Sequence, residues 1–244
     1  MSPDQRPPSS RSLSALCAGE VELRGRMPWS SNATFLVTIS PPQGSAEEPL
    51  VAVYKPAAGE RPLWDFPGGL YRREIAAYEL SRALGWNFVP ETIERADAPM
   101  GPGALQLFVD ADFEQHYFTL LEEPRYHRAL KRMAAFDVIA NNADRKGGHC
   151  LLDDAGNIWG IDHGLCFHAQ PKLRTVIWDF AGEPLHADDL QDLERLVNDG
   201  IPRSVEDHLL PDETAALKAR TRRLLDRGRL PEPRSDRPYP WPLV

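Results

Sequence analysis

The feature that most constrains this chain is a change of hydrophobic pattern near residue 110. Before it, apolar residues come in runs of strand length, such as 34–40 (TFLVTIS) and 50–54 (LVAVY), separated by stretches rich in proline. After it, apolar residues recur at helical spacing, as in 126–140, 187–200 and 211–228. Because side chains repeat with a period of two in strands and 3.6 in helices, the pattern predicts an α+β fold, with strands first and helices second.

Four segments follow from this pattern. Residues 1–17 are rich in Ser, Pro and Arg, and we expect a disordered N-terminal arm there. Residues 18–109 are predicted to form a small strand-rich lobe, and residues 110–228 a larger helical lobe. Residues 229–244 contain five prolines, which exclude regular helix and central strand. We therefore expect this tail to contact the rest of the protein without regular secondary structure.

Charge and cysteine content exclude several classes of protein. The formal net charge of −8 argues against a nucleic-acid partner. Three scattered cysteines are too few for a disulfide framework or a zinc ribbon, so a reducing, cytoplasmic location is predicted. No apolar run reaches 18 residues, and the first residues lack the apolar stretch of a signal peptide, so we expect no membrane span.

Polar and charged motifs follow the predicted elements in a fixed order. They are the loop 27–35 (MPWSSNATF), Lys55 at a strand end, Glu74 and Glu79 on a helix, the loop 142–149 (NADRKGGH) and the motif 161–164 (IDHG). Asp162 lies 18 residues after Asp144. Taken singly, each has a structural alternative, because Lys55 can be a solvated strand end and Glu74 a surface charge. Taken together, they indicate a site.

This order of motifs resembles the protein-kinase-like superfamily, most closely its phosphatidylinositol 3-/4-kinase-like branch and the small actinobacterial members of that branch. The resemblance spans about residues 18–185 and depends chiefly on 144–149 and 161–164. It implies a two-lobed protein-kinase-like fold with ATP bound in the cleft between the lobes. It also implies an enzyme that transfers the γ-phosphate of ATP to a hydroxyl of a lipid, a protein or a small molecule, assisted by Mg²⁺ or Mn²⁺.

The roles that the resemblance assigns suit phosphoryl transfer, which depends on positioning and charge neutralisation. Lys55 would bind the nucleotide phosphates and would be held by Glu74, with Glu79 as the second choice. Asp162 would bind the metal, because Mg²⁺ prefers hard oxygen ligands. Asp144 would accept the proton of the acceptor hydroxyl.

The remaining assignments concern the nucleotide and the catalytic loop. The other expected nucleotide contacts are phosphate donors at Ser30, Ser31 and Asn32 and the adenine-facing backbone of Phe108 and Val109, in a hinge at 107–110. Arg145 is expected to act in catalysis beside Asp144. Its structural alternative is an ion pair with a carboxylate.

Two departures from the family pattern leave alternatives open. His149 replaces an Asn as the expected second metal ligand, and His163 replaces the Phe of Asp-Phe-Gly. An ordinary imidazole titrates near pH ~6.5, so metal-dependent nucleotide binding should weaken from about pH 7.5 to 5.5 unless His149 only caps its loop. A pseudokinase that binds nucleotide without turnover is therefore one alternative. A metal hydrolase using Asp144, His149, Asp162, His163 and His168 is another.

Overall fold

A computed structural model of the chain describes residues 10–28, 30, 32–41, 48–233 and 235–244. Within these ranges a strand-rich lobe is followed by a larger and mostly helical lobe. The α+β fold predicted from the change of hydrophobic pattern is thus confirmed. None of the helices in the described part is both long enough and apolar enough to cross a membrane.

The first lobe is built on a five-stranded antiparallel sheet with the order β1-β2-β3-β5-β4. Its strands are β1 (Glu20–Arg26), β2 (Phe35–Ser40), β3 (Leu50–Pro56), β4 (Thr92–Arg95) and β5 (Gly103–Leu107). Alternate residues point to one face, where Val37 pairs with Ala52 and Tyr54 pairs with Leu105. All four side chains are fully buried, so this face forms the core of the lobe.

A short helix, α1 (Ser10–Ala18), covers the buried face of the sheet. The expectation of a disordered arm over residues 1–17 is therefore wrong for 10–17, and residues 1–9 lie outside the described part of the chain. Leu16 is fully buried among the sheet residues. Arg95 donates to the carbonyl oxygens of Leu16 (2.8 Å) and Gly19 (3.1 Å), which satisfies acceptors at the helix end. Tertiary contacts thus stabilise a helix too short to be stable alone.

The second lobe surrounds one central helix. Its elements are α3 (Tyr117–Leu121), α4 (His127–Ala140), β6 (Cys150–Leu152), β7 (Ile158–Gly160), α5 (Ala187–Asp199), α6 (Arg203–Glu206) and α7 (Pro211–Arg227). In α4 the side chains of Leu130, Phe136 and Ile139 are fully buried, and the helix packs against α7. The strands β6 and β7 pair antiparallel directly after the loop that carries Asp144.

Helix α2 (Leu70–Ala83) lies on the sheet of the first lobe and reaches the second lobe. Gly69 and Gly85 flank it with φ angles of 83° and 75°, a left-handed backbone that glycine adopts without strain. Arg73 of α2 forms a buried ion pair with Glu213 of α7. The two lobes are therefore joined by a charged contact as well as by the chain itself.

The proline-rich tail lies against the second lobe. Thr175 N–H and the Trp178 indole N–H donate to the Pro238 carbonyl oxygen (3.1 and 3.0 Å), and Gly147 N–H donates to the Leu243 carbonyl oxygen (2.6 Å). The described residues of this tail form neither helix nor strand, as their prolines require. The tail thus docks through these backbone hydrogen bonds and through Leu230, whose side chain is buried in the core of the second lobe.

Candidate active site

Three charged side chains from three different elements meet between the lobes. Lys55 comes from β3, Glu74 from α2 and Asp162 from the loop after β7. The Lys55 ammonium forms an ion pair with Glu74 Oε1 and lies 3.0 Å from Asp162 Oδ1. Glu79 instead pairs with Arg82 on its own helix (2.6 Å), so Glu74 is the carboxylate that contacts Lys55.

The backbone conformation of residues 162–164 allows Asp162 to lie close to Lys55 and Glu74. Asp162 has a φ of 60°, a left-handed conformation that Asp tolerates better than most residues. His163 N–H donates to Glu74 Oε2 (3.0 Å), so both carboxylate oxygens of Glu74 are engaged. A Cβ atom at Gly164 would lie 3.3 Å from Glu74 Oε1, which is tighter than ordinary contact. Glycine at this position therefore leaves room for the carboxylate.

The charges in this cluster stabilise one another. The Lys55 ammonium holds the pKa of Asp162 well below its usual range. Burial alone would lower the pKa of Lys55, but the carboxylates of Asp162 and Glu74 more than reverse this and raise it. The Asp162 side chain is 51% exposed, so the cleft presents an ionised carboxylate that can be reached from solvent.

Asp144 lies in the loop that follows α4. Its backbone N–H donates to Asn142 Oδ1 (3.0 Å), and its Oδ2 lies 3.3 Å from the Lys146 ammonium. Burial raises the pKa of Asp144, and the positive charge of Lys146 opposes this effect. The side chain is 25% exposed, so the carboxylate remains accessible to a substrate.

Arg145 points away from Asp144 into the protein interior. Its side chain is fully buried, as is that of Asp137, and their atoms are 3.0–3.2 Å apart. It also donates to the Ile161 carbonyl oxygen (2.9 Å) and to His163 Nε2 (2.7 Å). Because a guanidinium only donates, the His163 imidazole is neutral and carries its proton on Nδ1. Because Arg145 is buried, its side chain cannot contact the substrate that accepts the phosphate. The structure therefore favours the ion-pair alternative for Arg145.

Asp137 also belongs to this arrangement, and it is not among the site residues predicted from the sequence. Asn142 Nδ2 (2.9 Å) and Thr175 Oγ1 (3.1 Å) also donate to its carboxylate. The available signal was a single acid within the otherwise apolar face of α4, eight residues before Arg145. A buried carboxylate requires a partner, and Arg145 is the nearest cation in sequence on the following loop.

His149 caps its own loop. Its Nδ1 accepts from the Lys146 backbone N–H (3.3 Å), so the neutral imidazole carries its proton on Nε2, 3.5 Å from Asp162 Oδ2. Burial lowers the pKa of His149 to about 4. A pKa this low argues against titration of His149 between pH 7.5 and 5.5, and the expected pH dependence of binding stays a prediction. A metal on Nε2 would require the other tautomer and the loss of the Lys146 contact, so the geometry supports the capping alternative.

Side chains of the predicted phosphate loop bind within the first lobe. Ser30 Oγ and Thr34 Oγ1 are hydrogen-bonded (2.8 Å), and Asn32 Oδ1 accepts from the Arg61 backbone N–H (3.0 Å). Ser31 lies outside the described residues. The loop is thus braced by its own polar groups, and its contact with phosphates stays a prediction.

The predicted hinge lies where the chain crosses between the lobes. Phe108 N–H donates to the Val51 carbonyl oxygen in β3 (3.0 Å), and Asp112 N–H donates to the Leu152 carbonyl oxygen in β6 (3.0 Å). Because Phe108 uses its N–H inside the sheet, only its carbonyl is left for a nucleotide. Adenine contacts of Phe108 and Val109 stay a prediction.

The residues of the hydrolase alternative do not form one site. His163 is buried against Arg145, whereas His168 Nδ1 accepts from the Gln170 N–H (3.0 Å) and its ring packs edge-on against Phe66 (5.0 Å). Across the described residues, no three His, Cys, Asp or Glu side chains are grouped as a metal-binding cluster.

Comparison with known proteins decides the family. The family described as phosphatidylinositol 3- and 4-kinase matches residues 76–197, half of the chain. Protein Rv2133c of Mycobacterium tuberculosis is 41% identical over an alignment of 264 positions, which covers 93% of each protein. The chain belongs to the phosphatidylinositol 3- and 4-kinase family. The family match includes Asp144, His149 and Asp162, whereas Lys55 and Glu74 precede it and are placed at the site by the structure.

Solved structures confirm the protein-kinase-like fold. A structure of hydra Fam20 with sugar has a TM-score of 0.60 and is 14% identical, with 93% of this chain and 91% of that chain covered. The Golgi casein kinase with Mn and ADP bound has a TM-score of 0.55 and is 12% identical, with 89% and 74% covered. At these identities the likeness shows the fold, and activity has to be argued from the site.

Proposed function

We propose that this chain is an ATP-dependent phosphotransferase that transfers the γ-phosphate of ATP to a hydroxyl acceptor with the help of Mg²⁺ or Mn²⁺. The observation that carries the proposal is the ion-paired cluster of Lys55, Glu74 and Asp162. It holds a cation for phosphates beside an ionised and exposed carboxylate for a metal. Membership of a kinase family and the kinase-like fold support the same activity. The cytoplasmic location stays a prediction.

The donor set fits a hard divalent cation. Asp162 offers an ionised carboxylate that is about half exposed, and oxygen of this kind is the ligand that Mg²⁺ prefers. When bound there, the metal would neutralise negative charge on the phosphates. His149 keeps its Nδ1 on the Lys146 N–H, so we assign Asp162 as the metal ligand and His149 as the residue that shapes the loop.

Asp144 is proposed to accept the proton of the acceptor hydroxyl. Its carboxylate is partly exposed, and burial raises its pKa towards the range in which a base is effective. Lys146, 3.3 Å from it, supplies a positive charge for the transferred phosphate. Arg145 is proposed as a positioning residue, because it binds the Ile161 carbonyl and so fixes the loop of Asp144 to the loop of Asp162.

The test separates nucleotide binding from turnover. Thermal unfolding is measured with ATP and Mg²⁺ or Mn²⁺, since a ligand of the native state raises the melting temperature. Lys55→Ala should weaken ATP binding roughly 10- to 100-fold, the scale of one lost hydrogen bond between charged groups. Lys131→Ala is the matched control, because Lys131 pairs with Glu183 on the second lobe and should leave ATP binding unchanged.

Turnover is measured as ADP released and as ³²P incorporated into the protein itself. Asp162→Ala should remove the metal-dependent part of binding, whereas Asp144→Asn should bind ATP and lose turnover, because the amide keeps the shape but not the base. ATP binding unaffected by Lys55→Ala would contradict the site. Binding without any turnover would instead establish the pseudokinase alternative, which the capping geometry of His149 favours.

A further inference from the structure

A groove of about 740 Å³ lies between α7, the segment 169–174 and the tail, and Trp64 and Asp65 of the first lobe complete its lining. Six basic residues line it, against the two acids Asp65 and Glu232. The basic residues are Lys172, Arg174, Arg220, Arg223, Arg227 and Arg237. This excess of positive charge contrasts with the net charge of −8 of the whole chain.

Most of this positive charge has no carboxylate partner. Lys172 pairs with Asp65 (2.9 Å), but Arg220, Arg223, Arg227 and Arg237 form no ion pair within the described part of the chain. Guanidinium groups that line a cavity without counter-charges favour an anionic ligand.

Arg220 is the most desolvated of these cations. It donates to the carbonyl oxygens of Ile139 (2.7 Å) and His168 (3.2 Å), while its Nη2 is buried without a partner among the described residues. Burial lowers the pKa of its guanidinium to about 10. The group stays charged at neutral pH and retains an unused donor beside the groove.

The groove extends towards the candidate base. Arg174, which lines it, donates from Nε to the carbonyl oxygen of Ala143, the residue before Asp144 (3.0 Å). Its positive charge also acts on the carboxyl group of Asp144 and helps to lower its pKa, against the larger effect of burial. A ligand in the groove would therefore lie next to the site of phosphoryl transfer.

The lining between the cations is apolar and includes Val138, Trp178, Ala219, Leu224 and Pro238. Arg223 and Arg227 are one helical turn apart, which spreads their charge over about 6 Å of α7. An extended peptide turns successive side chains to opposite sides. It can therefore turn its carboxylates towards the arginines of α7 and the side chains between them towards Trp178 and Pro238 on the other wall of the groove, whereas a compact phosphorylated headgroup would leave that apolar wall uncovered.

We propose that the groove binds an extended acidic peptide segment and that this segment belongs to a protein acceptor. Peptide binding is inferred from the groove alone. Only the assignment of the peptide as the phosphate acceptor rests on the proposed phosphotransferase function.

The probe is a fluorescein-labelled synthetic peptide in which Glu alternates with Val around one central Ser, followed by fluorescence anisotropy without nucleotide. Binding should weaken as salt is added, because surface charges are screened. Replacing Arg223 and Arg227 by Gln should raise the Kd roughly fivefold, the combined effect of two exposed ion pairs. The matched control replaces Lys218 and Arg222 by Gln on the same helix, because both are exposed and neither lines the groove.

Equal weakening in both double variants, or no binding of the peptide, would overturn the proposal. So would binding of inorganic pyrophosphate or of phosphatidylserine vesicles through Arg223 and Arg227 in place of the peptide. Asp162→Ala separates the two proposals, because it should lose metal-dependent ATP binding and keep the peptide. If the protein binds ATP but not the peptide, the proposal of a peptide-binding groove is overturned. If it binds the peptide but shows no turnover of ATP, the proposed phosphotransferase activity is overturned and the groove is not.

Discussion

Replacing Arg145 by Met tests whether this residue supports the fold or acts in catalysis. Arg145 and Asp137 are both fully buried, and every nitrogen of the guanidinium has an acceptor. Without Arg145, the Asp137 carboxylate keeps two neutral donors among the described residues, from Asn142 and Thr175. Removing one partner of a buried ion pair costs about 3–5 kcal/mol of the free energy of unfolding. For a chain of this size that lowers the Tm by about 6–20 °C.

Urea unfolding followed by circular dichroism and tryptophan fluorescence measures this loss. Arg222→Met is the control, because an exposed substitution on α7 should change the free energy of unfolding by less than about 0.5 kcal/mol. Adding Asp137→Asn to Arg145→Met should recover part of the stability, because it removes the unpaired buried charge. If Arg145→Met unfolds like the unmodified protein but loses turnover, Arg145 acts in catalysis and the structural argument is wrong.

Three further predictions concern the rest of the molecule. Leu16→Ala should lower the free energy of unfolding by about 2–5 kcal/mol in urea titrations, because Leu16 is fully buried between α1 and the sheet. Burial lowers the pKa of His208, as it does those of His149 and His163, so the unfolded chain binds protons at a higher pH than the folded protein; stability should fall as pH drops below about 6.5, and His208→Gln should reduce the slope of the Tm profile only in part. Maleimide should label the exposed Cys17 in the folded protein and should label the buried Cys150 and Cys166 only in urea. Burial raises the pKa of Cys150 to about 12 and that of Cys166 well above its usual range, so neither forms the reactive thiolate in the folded protein. Mass spectrometry of the labelled peptides measures which cysteines have reacted.

Elements with a strong local signal could be predicted from the sequence. The run 50–54 has strand length and β-branched residues, so the position of Lys55 at its end followed directly. Asp162 lies between an apolar strand and a glycine, a pattern that indicates an exposed turn carboxylate. Helix α1 gave no such signal, because it is stabilised by Leu16 in the core and by Arg95 at its end, and both contacts join residues far apart in the chain.

The directions of neighbouring side chains could not be predicted in the same way. Asp144 and Arg145 are adjacent, yet one faces the cleft and the other the interior, because Asp137 lies beneath the loop. The role of His149 likewise depends on which of its two nitrogens faces the Lys146 N–H. Residue type and order indicate the chemistry of a site, whereas the partner of each side chain is set by packing between segments.

His163, which the resemblance implies stands in place of a Phe, has a physical role in this structure. Its backbone N–H binds Glu74, which holds Lys55 of the first lobe, and its Nε2 accepts from Arg145, which is paired with Asp137 in the core of the second lobe. A Phe ring would fill the same space but has no acceptor for the guanidinium. His163 therefore links Lys55, the proposed nucleotide-binding residue, to the buried ion pair through hydrogen bonds. Lys55 is thus connected through Glu74, His163 and Arg145 to Asp137, which gives the single acid of α4 a structural role.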